Sequence, residues 1–143
     1  MEYPEQAIAL AQALAALAHA GQVDKAGQPY VQHPIAVARQ VDTPEEKITA
    51  LLHDVLEDTF VRPETLENLF GAEIRAAVEG VTRREGESYM DFVRRAKQNP
   101  VSRAVKLADL SHNMDLSRLP HPTEKDYARL EKYRAARALL ETD

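Results

Sequence analysis

The chain has no cysteine, which excludes a disulfide framework and any zinc site built on thiolates. It lacks an apolar run of the ~20 residues that a membrane helix needs. The longest candidate, Ala7 to Ala18, is interrupted by Gln12. Its start is not basic, as a secretory leader would be, since Glu2 and Glu5 stand there. Positive charge is in the minority: 18 Lys and Arg against 23 Asp and Glu leave a net charge of −5. That balance argues against broad binding of nucleic acid or anionic membrane. An anionic small molecule remains compatible with it, provided a metal and a few basic groups share one cleft. The expectation is a cytoplasmic protein. With 143 residues, 44% hydrophobic and 29% charged, residues 1–143 should form a single domain with a substantial core.

Strand-like alternation, internal repeats and low-complexity segments are also missing, and what remains is helical pattern. Pro4, Pro34, Pro44, Pro63 and Pro100 stand where helices should begin, because the first helical position loses nothing by lacking an N–H. Thr43 and Asn99 precede two of these prolines as N-caps, and Thr43 with Glu46 has capping-box spacing. Ser88 with Asp91 and Thr123 with Asp126 repeat it in acidic form. Gly21, Gly71 and Gly86 separate the periodic segments. The pattern predicts an all-α bundle of about eight helices, over roughly 4–20, 34–41, 44–59, 63–70, 72–82, 88–98, 100–118 and 123–141. The polar stretch from Gly21 to Gln32 is the one long connection, a place where binding residues often sit. The last helix presents an apolar face that either completes the core or meets a partner, a second copy of the chain included.

Chemistry concentrates in the run LLHDVLEDT. Leu52, Val55, Leu56 and Thr59 recur with helical spacing as a buried stripe. On one continuous helix His53 would stack over Glu57 and Asp54 over Asp58. Asp54, Glu57 and Asp58 repel one another there, and a bound cation would turn repulsion into coordination. A solvated acidic face is the competing reading of this segment alone. His33 in PYVQHP and Asp109 in VKLADLSHN add a second imidazole and another carboxylate. Two imidazoles and two carboxylates suit one divalent metal. Asn113 lies four residues after Asp109, with His112 beside it.

In combination these segments resemble the HD superfamily of metal-dependent phosphohydrolases. The resemblance is narrower toward the hydrolase domain of RelA/SpoT homologues and the small alarmone hydrolases. AHAGQ, KAGQPYVQHPIAVA, ALLHDVLEDT, FGAEI, GVT and VKLADLSHNM occur in that family's order and spacing. The resemblance implies that His33, His53, Asp54 and Asp109 hold one divalent ion, manganese in that family. It implies that Glu57 and Asp58 orient or activate the attacking water, and that Lys25 and Asn113 touch the nucleotide. The implied reaction removes the 3′-pyrophosphate from (p)ppGpp. Arginines usual in the long enzymes are replaced here by Asp24, Leu110 and Asp115, which opens the choice of base to adenine as well as guanine. A phosphatase acting on another nucleotide or dinucleotide cofactor is the enzymatic alternative. A non-catalytic helical interaction protein, neutralising an alarmone synthetase partner, is the other.

Overall fold

The structure, a computed structural model, describes residues 2–142. Among these residues it contains nine α-helices and one short 3₁₀ turn, with no strand beyond an isolated bridge between Val23 and Pro29. The helices are α1 (Pro4–Ala18), α2 (Gln32–Arg39), α3 (Pro44–Leu52), α4 (Val55–Asp58), α5 (Pro63–Phe70), α6 (Ala72–Gly80), α7 (Tyr89–Lys97), α8 (Pro100–Asn113) and α9 (Glu124–Glu141). The expected all-helical bundle is therefore present.

Local chemistry explains most boundaries. Proline opens α1, α3, α5 and α8. The Thr43 side chain accepts from the Glu46 amide while Glu46 reaches back, so the capping box forms, and Thr123 with Asp126 does the same ahead of α9. Asn99 caps α8 by accepting from the amides of Val101 and Ser102. Gly71 joins α5 to α6 with φ +97°, a backbone that a side chain would strain.

Three boundaries differ from expectation. Helix α2 begins at Gln32, which draws His33 inside its first turn rather than leaving it ahead of Pro34. Helix α8 stops at Asn113, and residues 116–118 form the 3₁₀ turn that Asp115 caps. Most consequential, the helix expected over 44–59 is broken at His53 and Asp54. The His53 ring donates from Nδ1 to the Ala50 carbonyl at 2.6 Å. That carbonyl is drawn toward the side chain, and the chain restarts as the four-residue α4.

Helix α3 lies at the centre, against α1, α2, α6 and α8. Ile48, Leu51, Leu52 and Val55 meet Val37, Leu66, Val78 and Val105 in the main core. Helices α6 and α8 approach closely at Gly80, where an added Cβ would lie 2.2 Å from Ser102 Oγ. A second cluster, Val93, Leu110, Ala136 and Leu140, binds α9 to α7 and α8. The apolar face of the last helix thus completes the core. The consequence for function is positional: α2, the α3–α4 break and α8 meet at one place.

Candidate metal centre

Those three segments deliver His33, His53, Asp54 and Asp109 to one spot. His33 Nε2 lies 2.8 Å from Asp109 Oδ1, and His53 Nε2 lies 3.4 Å from the same oxygen and 3.1 Å from Asp54 Oδ2. Nitrogen and oxygen donors of His33, His53 and Asp109 all fall within 4.8 Å of one another, and all three residues are buried. Asp54, Glu57 and Asp58 form a second, more exposed group of oxygens with the same spread.

The break after α3 redistributes the facet expected on a continuous helix. His53 turns inward, 3% exposed, instead of standing over Glu57 on the surface. Asp54 remains one turn before Asp58, whose amide donates to its carbonyl at 3.1 Å. Glu57 and Asp58 are exposed on the rim. Glu57 still joins His53, Asp54, Lys106 and Asp109 around a small cavity of about 50 Å³, room for an ion or water rather than a nucleotide.

Whether these donors fit a cation is answered by His53. Its Nδ1 hydrogen goes to the Ala50 carbonyl, which can only accept. In the neutral ring Nε2 therefore carries a lone pair. That atom is buried and has no hydrogen-bond partner, although two carboxylate oxygens lie 3.1 and 3.4 Å from it. A buried ring nitrogen facing two carboxylates without a hydrogen-bond partner is an arrangement that a positive charge, a proton or a metal ion, would satisfy. Two imidazoles and two carboxylates are the corresponding donor set for a divalent transition metal.

Electrostatics agree. Burial alone would depress His53, but Asp54 and Asp109 hold its pKa well above the ordinary imidazole value. The atom thus sits in a potential that favours a positive partner. Burial would raise Asp109, yet Lys106, His33 and His53 keep it well below the usual carboxylate range. Asp54 is likewise held down to about 2, against burial, by His53 and by a hydrogen bond from the Tyr30 hydroxyl. Glu57 is pushed up by burial and by the charges of Asp54 and Asp58; Asp58 is raised by burial and Asp54.

Three further groups support the donors. The Tyr30 hydroxyl donates to Asp54 Oδ2; its place three residues before His33 is the only sequence signal. Lys106 Nζ donates to Asp109 Oδ2 at 3.0 Å, an i,i+3 pair on α8 readable from spacing. His112 Nδ1 lies 2.7 Å from His33 Nδ1. Burial, Arg118 and His33 lower His112 to about 4, so it is neutral near pH 7 and can accept the His33 hydrogen.

The two residues expected to touch a ligand also converge. Asn113 Nδ2 donates to Asp109 Oδ1 at 3.1 Å, and Asn113 and Lys25 line a cleft of about 290 Å³ with Tyr30, Arg118, Arg129 and Tyr133. Lys25 is half-exposed and paired with Asp126 on α9 at 3.0 Å. The three positions where arginine is usual have local duties instead. Asp24 accepts from the amides of Ala26 and Gln28 and so closes its own loop. Leu110 is fully buried against α7 and α9. Asp115 accepts from the Ser117 amide.

Residues 11–112 match the HD domain family. The chain belongs to that family. It is 35% identical over 130 residues to a GTP pyrophosphokinase of Myxococcus xanthus, an alignment covering 78% of this chain and 17% of that protein. The bifunctional (p)ppGpp synthase/hydrolase SpoT of Escherichia coli is 35% identical over 113 residues, covering 68% and 16%. A probable guanosine-3′,5′-bis(diphosphate) 3′-pyrophosphohydrolase of Synechocystis is 42% identical over 112 residues, covering 67% and 15%. The chain thus spans about one sixth of the length of these relatives. A metazoan orthologue of SpoT, described as hydrolysing ppGpp with a role in starvation responses, superposes with TM-score 0.76 at 25% identity. That match covers 94% of this chain and 84% of the other. No helix among the described residues is long and apolar enough to cross a membrane.

Proposed function

We propose that this domain, residues 1–143 acting as one unit, hydrolyses the 3′-diphosphate of alarmone nucleotides of the (p)ppGpp type in the cytoplasm. The observation that carries this reading is the gathering of His33, His53, Asp54 and Asp109 around an unpartnered buried nitrogen, with two raised carboxyls on the rim. The activities of the similar proteins supply the substrate class.

His33, His53, Asp54 and Asp109 would hold one divalent ion, manganese on the family reading. Bound there, such an ion would polarise a phosphoryl oxygen and acidify a water molecule. Glu57 takes the proton from the attacking water, with Asp58 keeping that water oriented. General-base help of this kind contributes typically 10²–10⁴-fold. The water oxygen bonds to the phosphorus attached to O3′, the P–O3′ bond breaks, and O3′ leaves taking up a proton from solvent while Glu57 returns its own to solvent. The products are a nucleoside 5′-diphosphate or 5′-triphosphate with a free 3′-hydroxyl, and pyrophosphate. Asn113 and Lys25 face the cleft where the nucleoside would lie, Lys25 exchanging its partner Asp126 for a phosphate.

Purified protein supplied with manganese and ppGpp, pppGpp or their adenine counterparts should release pyrophosphate, resolved by anion exchange. Both bases belong in the assay because Asp24, Leu110 and Asp115 offer no arginine. Release of orthophosphate instead would indicate a phosphatase, and survival of all four substrates would refute the proposal.

A further inference from the structure

Beyond the metal donors, three cations from distant segments gather around one aromatic ring. The Arg83 guanidinium, in the loop after α6, lies 5.9 Å from the Tyr89 ring centroid. Lys106 Nζ on α8 lies 5.5 Å from it and Lys132 Nζ on α9 only 4.3 Å. Lys106 is paired with Asp109, but among the described residues neither Arg83 nor Lys132 forms an ion pair. Arg83 donates only to a backbone carbonyl, that of Glu87. The Tyr89 hydroxyl oxygen is buried without a partner. Lys132 is lowered by burial and by repulsion from Arg83, Lys106 and Arg129. Arg83 and Lys132 are both open to solvent, so an anion can reach them.

Asp109 fixes the direction of that anion. One carboxylate oxygen faces Asn113 and the nucleoside cleft, and the other faces Lys106. Lys106 also lines the small cavity that holds Glu57, so this cationic group borders the proposed water site.

We infer that Arg83 and Lys132, with Lys106 behind them, form a subsite for the outer phosphate of the substrate's 3′-diphosphate. The inference rests on the hydrolase reading above and adds the group that separates a 3′-diphosphate from a 3′-monophosphate. A nucleoside lying on the Asn113 side places the scissile phosphorus at the metal donors and the outer phosphate among these cations. Ammonium and guanidinium groups supply the charge-assisted hydrogen bonds that such a phosphate takes.

The test compares wild type with Arg83→Ala, Lys132→Ala, the double variant and Lys132→Arg, in manganese held in excess over all ligands. Calorimetry with inorganic pyrophosphate should show about tenfold weaker binding for each alanine variant. Orthophosphate binding should change little, and Lys132→Arg should retain most of the wild-type affinity. In kinetics, kcat/KM for the 3′-diphosphate substrate should fall, while that for a guanosine 5′-diphosphate 3′-monophosphate stays near wild type. Unchanged pyrophosphate binding in the double variant overturns the inference. So does an equal loss for GDP and pyrophosphate, which would assign the cations to the 5′ phosphates. If no alarmone is cleaved yet pyrophosphate binding falls as described, the substrate reading fails and the diphosphate subsite stands.

Discussion

Replacing Tyr30 by phenylalanine removes a single oxygen and leaves the ring in place. The ring sits between His19, 4.9 Å away, and His33, 5.9 Å away, and its backbone amide is held by the Gln22 carbonyl at 2.9 Å, so packing should survive. What is lost is the hydrogen bond to Asp54 Oδ2. Burial and the neighbouring Asp54 charge raise the phenol far above its ordinary value, so it remains a donor throughout the folded range of pH. A hydrogen bond to an ionised group contributes about 1.5–3 kcal/mol. At about 1.4 kcal/mol per decade, Tyr30→Phe should weaken metal binding by roughly 10- to 100-fold, the usual effect of losing a group that orients a ligand. The assay is titration of metal-free protein with manganese, following free ion by electron paramagnetic resonance, with circular dichroism confirming the helices. A dissociation constant within about twofold of wild type would refute the reasoning, since Asp54 would then need no orienting partner.

Other predictions concern the scaffold. Gly80→Ala should lose about 1–3 kcal/mol in urea unfolding through overpacking against Ser102, despite the roughly 1 kcal/mol helix preference of alanine over glycine; equal or greater stability would contradict the close approach of α6 and α8. Leu110→Ala, emptying a fully buried site in the second cluster, should lose about 2–5 kcal/mol, and a loss below 1 kcal/mol would mean that α9 is not docked as described. Glu87→Gln breaks the two-bond pair with Arg95, at 2.8 and 2.9 Å. Because Arg95 holds the Glu87 carboxyl down to about 2, its contribution of about 1 kcal/mol is complete above the unfolded carboxyl range and disappears as pH falls toward 2. The stability gap between wild type and variant should therefore close between about pH 5 and pH 2, and a pH-independent gap would argue against the pair.

Most helix starts were legible because proline and capping residues act locally. Thr43 and Thr123 form the expected boxes for this reason. The break at His53 was not legible, since Leu52, Val55 and Leu56 keep helical spacing across it. A side chain turning back to a carbonyl leaves no mark in apolar periodicity. The same holds for Lys132, which reads as one more charge on an exposed helix until α7 and α8 bring Tyr89 and Lys106 beside it. The four candidate donors were named as a set through family resemblance, and the fold brings them together. Their individual spacing, over 77 residues from His33 to Asp109, carries no periodic signal of its own. Leu110 and Asp115 show the limit of such transfer, because here one is core and the other a turn cap.

The central claim is that one cation is shared by His33, His53, Asp54 and Asp109. Anomalous diffraction from crystals grown with manganese tests it directly. A single strong peak bonded to both imidazoles and both carboxylates is expected. A peak held only by Asp54, Glu57 and Asp58, with both histidines unligated, would contradict it.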